Sequence, residues 1–291
     1  MSAAHRFAVP RRRMSPARRD HLRGVLDALY ERYTHAPRIG MDPIAFPRRF
    51  EVLADREIVA LLAASLAYGR VAQISRNMEA LLHRLGPEPS RFVMESPPTA
   101  LRRALSTFRH RWTDGEAVVG LLLGVRRLRE AEGSLEAALS RRLAVREEAL
   151  LPALADWVQA LRINGRPSRL LADPAGGSAC KRLHLFLRWM VREDAVDPGG
   201  WRSISPRLLM VPVDVHMHRV GRGLRFTRSR QAGLRAVLEI TAGFRAVNET
   251  DPVRYDFALT RFGIVGSTDV AKLLSGAGGD VQRLLDVALA N

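Results

Sequence analysis

The 291-residue chain has a single cysteine, Cys180. One thiol excludes an intrachain disulfide, and it excludes iron–sulfur clusters and zinc ribbons that need several thiolates. It fits a reducing, cytoplasmic setting. Lysine is almost missing: of 46 basic residues only Lys181 and Lys272 are lysines, leaving 44 arginines. No stretch approaches the roughly 20 apolar residues of a membrane span, since the most apolar run, Ile58 to Tyr68, covers only 11. The arginine-rich N-terminus (Arg6, Arg11, Arg12, Arg13, Arg18, Arg19) is followed by no apolar segment of the secretory kind and reads as a mobile basic arm. Alternating β-branched runs between hairpin turns are missing as well, as are repeats of solenoid period.

What remains is an ordinary core with an unusual surface. Hydrophobic residues make up 47% and charged residues 26%, which suits a globular fold of one large or two modest domains. The net charge of +16 favours a polyanionic partner, nucleic acid first. The apolar periodicity is helical almost throughout, predicting an all-α chain with helices over about 18–34, 54–68, 71–85, 98–108, 115–131, 134–144, 147–163, 180–193, 214–222, 230–243, 252–262 and 279–290. Pro87, Pro89, Pro97 and Pro98, then Pro174 to Gly177, then Pro198 to Pro206, read as the breaks between them. The organisation expected is a basic arm over 1–17, a helical lobe over 18–170 and a second lobe over 171–291, which could also be one compact unit.

Three segments carry possible chemistry. In Asp173-Pro-Ala-Gly-Gly-Ser-Ala-Cys-Lys-Arg182, Gly176, Gly177 and Ser178 precede a helix start. A turn of this kind can aim backbone N–H groups at a phosphate, or be a plain loop with Ser178 as helix cap. Lys181 opens that helix. In a chain that otherwise uses arginine it suggests a need for a primary amine, because guanidinium stays protonated and forms no imine; the plain alternative is a phosphate contact. In Val211-Pro-Val-Asp-Val-His-Met-His-Arg-Val220, Asp214 is either a helix N-cap or a carboxylate that assists a nucleophile or steadies a sugar cation. His216 and His218 admit a metal set, but an i, i+2 spacing diverges on a helix.

Together these residues resemble the helix-hairpin-helix DNA glycosylases: a Gly-rich hairpin, a lysine opening a helix, and a Val-Asp-Thr-His-x-x-Arg-Val-like string matched by Val213, Asp214, His216, Arg219 and Val220. The 33 positions from Lys181 to Asp214 are closer to the long-hairpin archaeal 8-oxoguanine glycosylases than to the endonuclease III type. The whole chain looks like a bacterial branch of the superfamily, with Asp42-Pro-Ile-Ala-Phe-Pro47, Ala67-Tyr-Gly-Arg70, Leu187-Arg-Trp-Met-Val-Arg192 and Asp251-Pro-Val-Arg-Tyr-Asp256 as its apparent hallmarks.

The resemblance implies a two-lobed fold with residues 171–291 as the helix-hairpin-helix lobe. It implies a monomer acting on double-stranded DNA at the nucleoid, with no cofactor, no metal and no membrane. Lys181 would attack the sugar C1′ of a damaged, oxidised purine nucleotide, with Asp214 assisting. Gly176, Gly177, Ser178, Arg182 and Arg219 would hold the DNA. Tyr68, Leu185, Asp256 and Thr260 would line the pocket for the flipped base, Leu185 and Thr260 standing where stacking aromatics are expected.

Trp112, Trp157, Trp189 and Trp201 read as packing residues. Phe108-Arg-His-Arg-Trp112 reads as a helix end with two buried rings, and Arg102, Arg103, Arg126, Arg127 and Arg129 as a general basic face. The rivals are a DNA-damage or DNA-structure binder without turnover, a metal-dependent hydrolase on Asp214, His216 and His218, and a protein for a small substrate whose arginines reflect genome composition.

Overall fold

A helix apolar on every side has to be buried on every side, which makes the Ile58–Leu66 run the natural centre of the molecule. In the computed structural model, which describes residues 7–34, 39–40, 42–162 and 170–265, every residue from Ile58 to Leu66 is at most 2% exposed. The described chain is mostly helical. Its helices are α1 (Pro16–Tyr33), α2 (Leu53–Ser65), α3 (Val71–Leu85), α4 (Pro89–Glu95), α5 (Pro98–Leu105), α6 (Gly115–Glu132), α7 (Leu135–Val145), α8 (Leu150–Leu161), α9 (Lys181–Val191), α10 (Val215–Gly223), α11 (Leu234–Val247) and α12 (Asp256–Val265). The helix expected at 279–290 lies outside the described residues. No described helix is long and apolar enough to cross a membrane.

The central helix α2 packs against α9 on one side and α4 on another, while α6 gathers α5, α7 and α8. At the far end of the chain α12 packs on α1 and α10, so the N-terminal helix completes the C-terminal half. Buried side chains from both halves form one continuous cluster across the expected boundary near residue 170.

The prolines around 87–98 do separate helices, as expected, but they leave room for one that the periodicity does not predict: Pro89 sits at the start of α4, where its fixed φ and missing N–H cost nothing. The buried Asp55 carboxylate receives the Ser90 N–H at 2.6 Å and ties α4 to α2. The helix expected from 147 begins at 150, because Glu147 and Glu148 take positive φ (51° and 62°) and break the helical path. A two-stranded hairpin, β1 (Arg109–His110) with β2 (Thr113–Asp114), also stands where the end of a helix was expected.

The N-terminal arm, expected to be mobile, is fastened over its described part. Arg12 donates to the Phe226 carbonyl at 3.1 Å and Arg18 to the Leu224 carbonyl at 2.9 Å, satisfying backbone oxygens just past α10; Arg23 on α1 reaches Val247 O at 3.1 Å at the end of α11. Phe7, Val9 and Met14 pack against the core.

Two glycines of α6 give a paired prediction. A Cβ on Gly124 would lie 2.0 Å from the Leu161 carbonyl oxygen of α8, whereas one on Gly120 meets nothing within 4 Å. Gly120→Ala should therefore gain up to about 1 kcal/mol of helix propensity, and Gly124→Ala should lose about 1–3 kcal/mol or more by forcing α6 from α8. Urea unfolding midpoints moving in opposite directions would check this; a stabilising Gly124→Ala would refute the close approach.

Candidate active site

Asp214 is placed by its own backbone role. It is the N-cap of α10, and its Oδ1 accepts from His216 N at 3.0 Å and Met217 N at 2.9 Å. That leaves Oδ2 free to point away, and it accepts from Lys181 Nζ at 2.8 Å. The cap reading is thus realised by Oδ1, while Oδ2 stands in contact with the amine. Burial pushes the carboxyl up, but the charge and hydrogen bond of Lys181 outweigh it and hold the group below the usual carboxylate range. Lys181 and Asp214 keep 35% and 21% side-chain exposure, so a ligand can reach both.

Lys181 owes its position to the loop before α9. Asp173 Oδ1 accepts from Ala175 N at 2.8 Å and starts a tight turn, Gly177 takes the left-handed conformation (φ 80°, ψ 10°), and Cys180 is left-handed too (φ 45°, ψ 32°) just before the helix. The loop docks through Gly177 O, which accepts from Leu234 N at 3.2 Å.

This geometry corrects two details. Ser178 is not the cap of α9, since Cys180 stands at that place and Ser178 Oγ instead accepts from Cys180 N at 3.2 Å. The N–H groups of Gly176 and Gly177 do not point outward either; they close the turn onto Asp173 O and Pro174 O, both at 3.0 Å. What these residues offer a phosphate is the exposed surface of Gly176 and Ser178 beside the first turn of α9. Cys180 stands next to Lys181, but burial pushes its thiol up to about 11, which keeps it an apolar core group.

Asp256 opens α12 and lies close enough to the pair for Asp214 and Lys181 to act on it. Expected to face the base, it is 5% exposed and bonded to the Arg188 guanidinium. Burial, opposed by Arg188 and reinforced by the Asp214 charge, raises its carboxyl to about 6. Arg188 was not foreseen. It also donates Nε to Asp197 Oδ1 at 3.0 Å, and Arg192 joins the same carboxylate together with Asp194 and Asp251. This buried network locks α12 to α9. Arg261 adds a tie from α12 to Asp42 at 2.6 Å.

Arg182 is turned toward the protein: Nη1 donates to Ser65 O at 2.6 Å at the end of α2, and the guanidinium lies 5.3 Å from the Tyr68 ring centroid. Tyr68 is thereby drawn to the side of α9 that carries Arg182. Leu185, one turn after Lys181, and Thr260, one turn after Asp256, are both half-buried. Arg219 is exposed on α10. The rival histidines diverge: His218 is buried with Nε2 on the Ser229 carbonyl at 3.0 Å, while His216 is half-buried on another side of the helix. Among the described residues no three His, Cys, Asp or Glu side chains converge as a metal set.

Of the four tryptophans, Trp157, Trp189 and Trp201 are at most 2% exposed, as expected of packing residues. Trp112 is the exception at 56%. A cleft of about 770 Å³ lies beyond the far end of α10, lined by Arg12, Arg18, Arg222, Arg225 and Arg228 with Glu239 among them.

No curated protein and no solved structure matches the chain. Residues 42–265, which take in Lys181, Asp214, Asp256 and the hairpin, match the family described as Protein of unknown function (DUF2400), and the chain belongs to that family.

Proposed function

We propose that this protein is a DNA glycosylase of the helix-hairpin-helix kind, excising a damaged base, an oxidised purine in the first instance, through Lys181. The observation that carries the reading is the contact of a partly exposed primary amine with the carboxylate of Asp214 at 2.8 Å, at the heads of two helices, in a chain of net charge +16 in which 44 of 46 basic residues are arginine.

The chemistry follows from that contact. To attack, Nζ must give up a proton, and Asp214 Oδ2 is the acceptor in reach. The Nζ lone pair then forms the bond to C1′ while the electrons of the N-glycosidic bond depart with the base, which takes up the proton that Asp214 accepted. A second Nζ proton passes to the ring oxygen as the C1′–O4′ bond breaks, leaving a protonated imine to the enzyme. Asp256, raised to about 6, has its Oδ2 engaged by Arg188, so the oxygen that contacts the amine is that of Asp214.

The test is a panel of duplexes, each with one lesion, incubated with borohydride to reduce any imine to a stable adduct. An adduct with one lesion and not with undamaged DNA supports the reading. Retention on DNA with no adduct and no released base would favour the non-catalytic binder instead.

Affinity itself is expected to fall steeply with salt. Each phosphate neutralised releases counterions and adds about 0.9 to the log–log slope for duplex DNA. Titrations at several salt concentrations check this, and a flat response would refute a nucleic-acid partner.

A further inference from the structure

The hairpin β1–β2 presents the exposed Trp112 on a rigid mount. Tyr68 stacks on Trp112 with ring centroids 5.0 Å apart and planes 16° apart. Tyr68 is itself fixed: its hydroxyl donates to His110 O at 3.0 Å and is 2.7 Å from Thr113 Oγ1, so both strands hold it. His110, fully buried, accepts at Nδ1 from Asn77 at 2.8 Å and donates from Nε2 to Tyr68 O at 3.0 Å. Burial lowers its pKa, consistent with that neutral tautomer. Arg111 takes a positive φ of 55°, rare for a residue with a side chain, to make the turn, and its guanidinium lies 4.5 Å from the Trp112 centroid. Arg182 covers Tyr68 at the other end, one residue from Lys181. The result is a ladder of two aromatic rings and two guanidiniums from the side of the Lys181 helix out to solvent.

A surface tryptophan more than half exposed needs a reason, since burying its ring would be worth several kcal/mol. Folding does not supply it: Tyr68, His110 and Asn77 already close the hairpin by hydrogen bonds. Aromatic faces flanked by arginine suit one ligand class above others, a flat nucleobase on a phosphate chain, because every base has a π-face and the guanidiniums meet the charge beside it.

We propose that Trp112 is a stacking platform for an unpaired base of bound DNA, which takes the place of the exposed Arg111 guanidinium on the ring while Tyr68 backs it from the other side. The proposal deepens the DNA reading and rests on it, but requires no turnover.

The test uses the full chain and three short duplexes: one with a single extrahelical 2-aminopurine, one with an unpaired abasic residue at that position, and one fully paired. The parent protein should bind the first more tightly than the second and quench its fluorescence. Trp112→Ala should lose that preference by about 5- to 150-fold, the range for one base–aromatic stack, and lose the quenching. It should keep its affinity for paired duplex. Trp112→Phe should restore most of the preference. If Trp112→Ala binds and quenches the extrahelical base like the parent, or weakens all three duplexes equally while lowering the unfolding midpoint, Trp112 is only a fastening of the hairpin and the proposal falls. If the parent binds none of the duplexes at low salt, the DNA reading falls and takes the platform with it.

Discussion

Lys181→Arg should bind a lesion duplex within a few-fold of the parent and yield neither a borohydride adduct nor a released base. The substitution keeps a positive charge with donors in reach of Asp214 Oδ2, now 2.8 Å from Nζ, so a phosphate-contact or ion-pair role survives it. An imine cannot form, because the guanidinium is protonated at any working pH and offers no free lone pair. Asp214→Asn is the matching test. The amide oxygen can still cap α10 through His216 N and Met217 N, so the helix and the fold should hold. The carboxylate that takes the amine's proton is gone, and base release should fall by about 10²- to 10⁴-fold. Single-turnover rates read against binding by the same variants distinguish the outcomes. Full excision by Lys181→Arg would refute the lysine mechanism and leave Asp214 with water as the alternative.

Asp197→Ala should destabilise the protein by about 3–5 kcal/mol, the cost of leaving buried charge without its partner. Asp197 is fully buried and serves two guanidiniums, Arg188 and Arg192, which are 3% and 6% exposed. Removing it leaves Arg188 with Asp256 alone and Arg192 with Asp194 and Asp251 nearer the surface. A solvent-facing pair offers the contrast: Arg202 and Glu193 keep 75% and 53% side-chain exposure, and Arg202→Ala should change stability by less than about 1 kcal/mol. Urea unfolding of the two variants settles the comparison. Equal, small effects would mean that the network is not needed to hold α12 against α9. Because Asp256 reaches the Lys181–Asp214 pair through that packing, Asp197→Ala should also slow base release in the protein that remains folded.

Much of this architecture was open to reading along the chain. Helical periodicity and the missing β alternation are local properties, and they predict an all-α fold; that the apolar run after Glu57 becomes the buried centre is a finding of the packing. Lys181 stood out against 44 arginines, and Asp214 at a helix start stood out by type. Other features were hidden by their physics. A proline that starts a helix looks, residue by residue, like one that ends it, which concealed α4. The N-terminal arginines look like a solvated arm until the carbonyls at Phe226 and Leu224 are known to lie beside them, because a guanidinium binds whichever acceptor the fold brings near.

Residue types along the chain mark the reactive groups, a primary amine at one helix start and a carboxylate at another, together with a surplus of positive charge. How they meet is a matter of packing. Lys181 and Asp214 are 33 positions apart, and their 2.8 Å contact depends on the relative placement of α9 and α10, which no local pattern encodes. The same holds for Asp256, which the Arg188 network turns inward, and for Trp112, whose exposure depends on a turn that Arg111 makes in the left-handed region. Residue type sets what a side chain can do, and the rigid packing of helices sets which partner lies within hydrogen-bond reach.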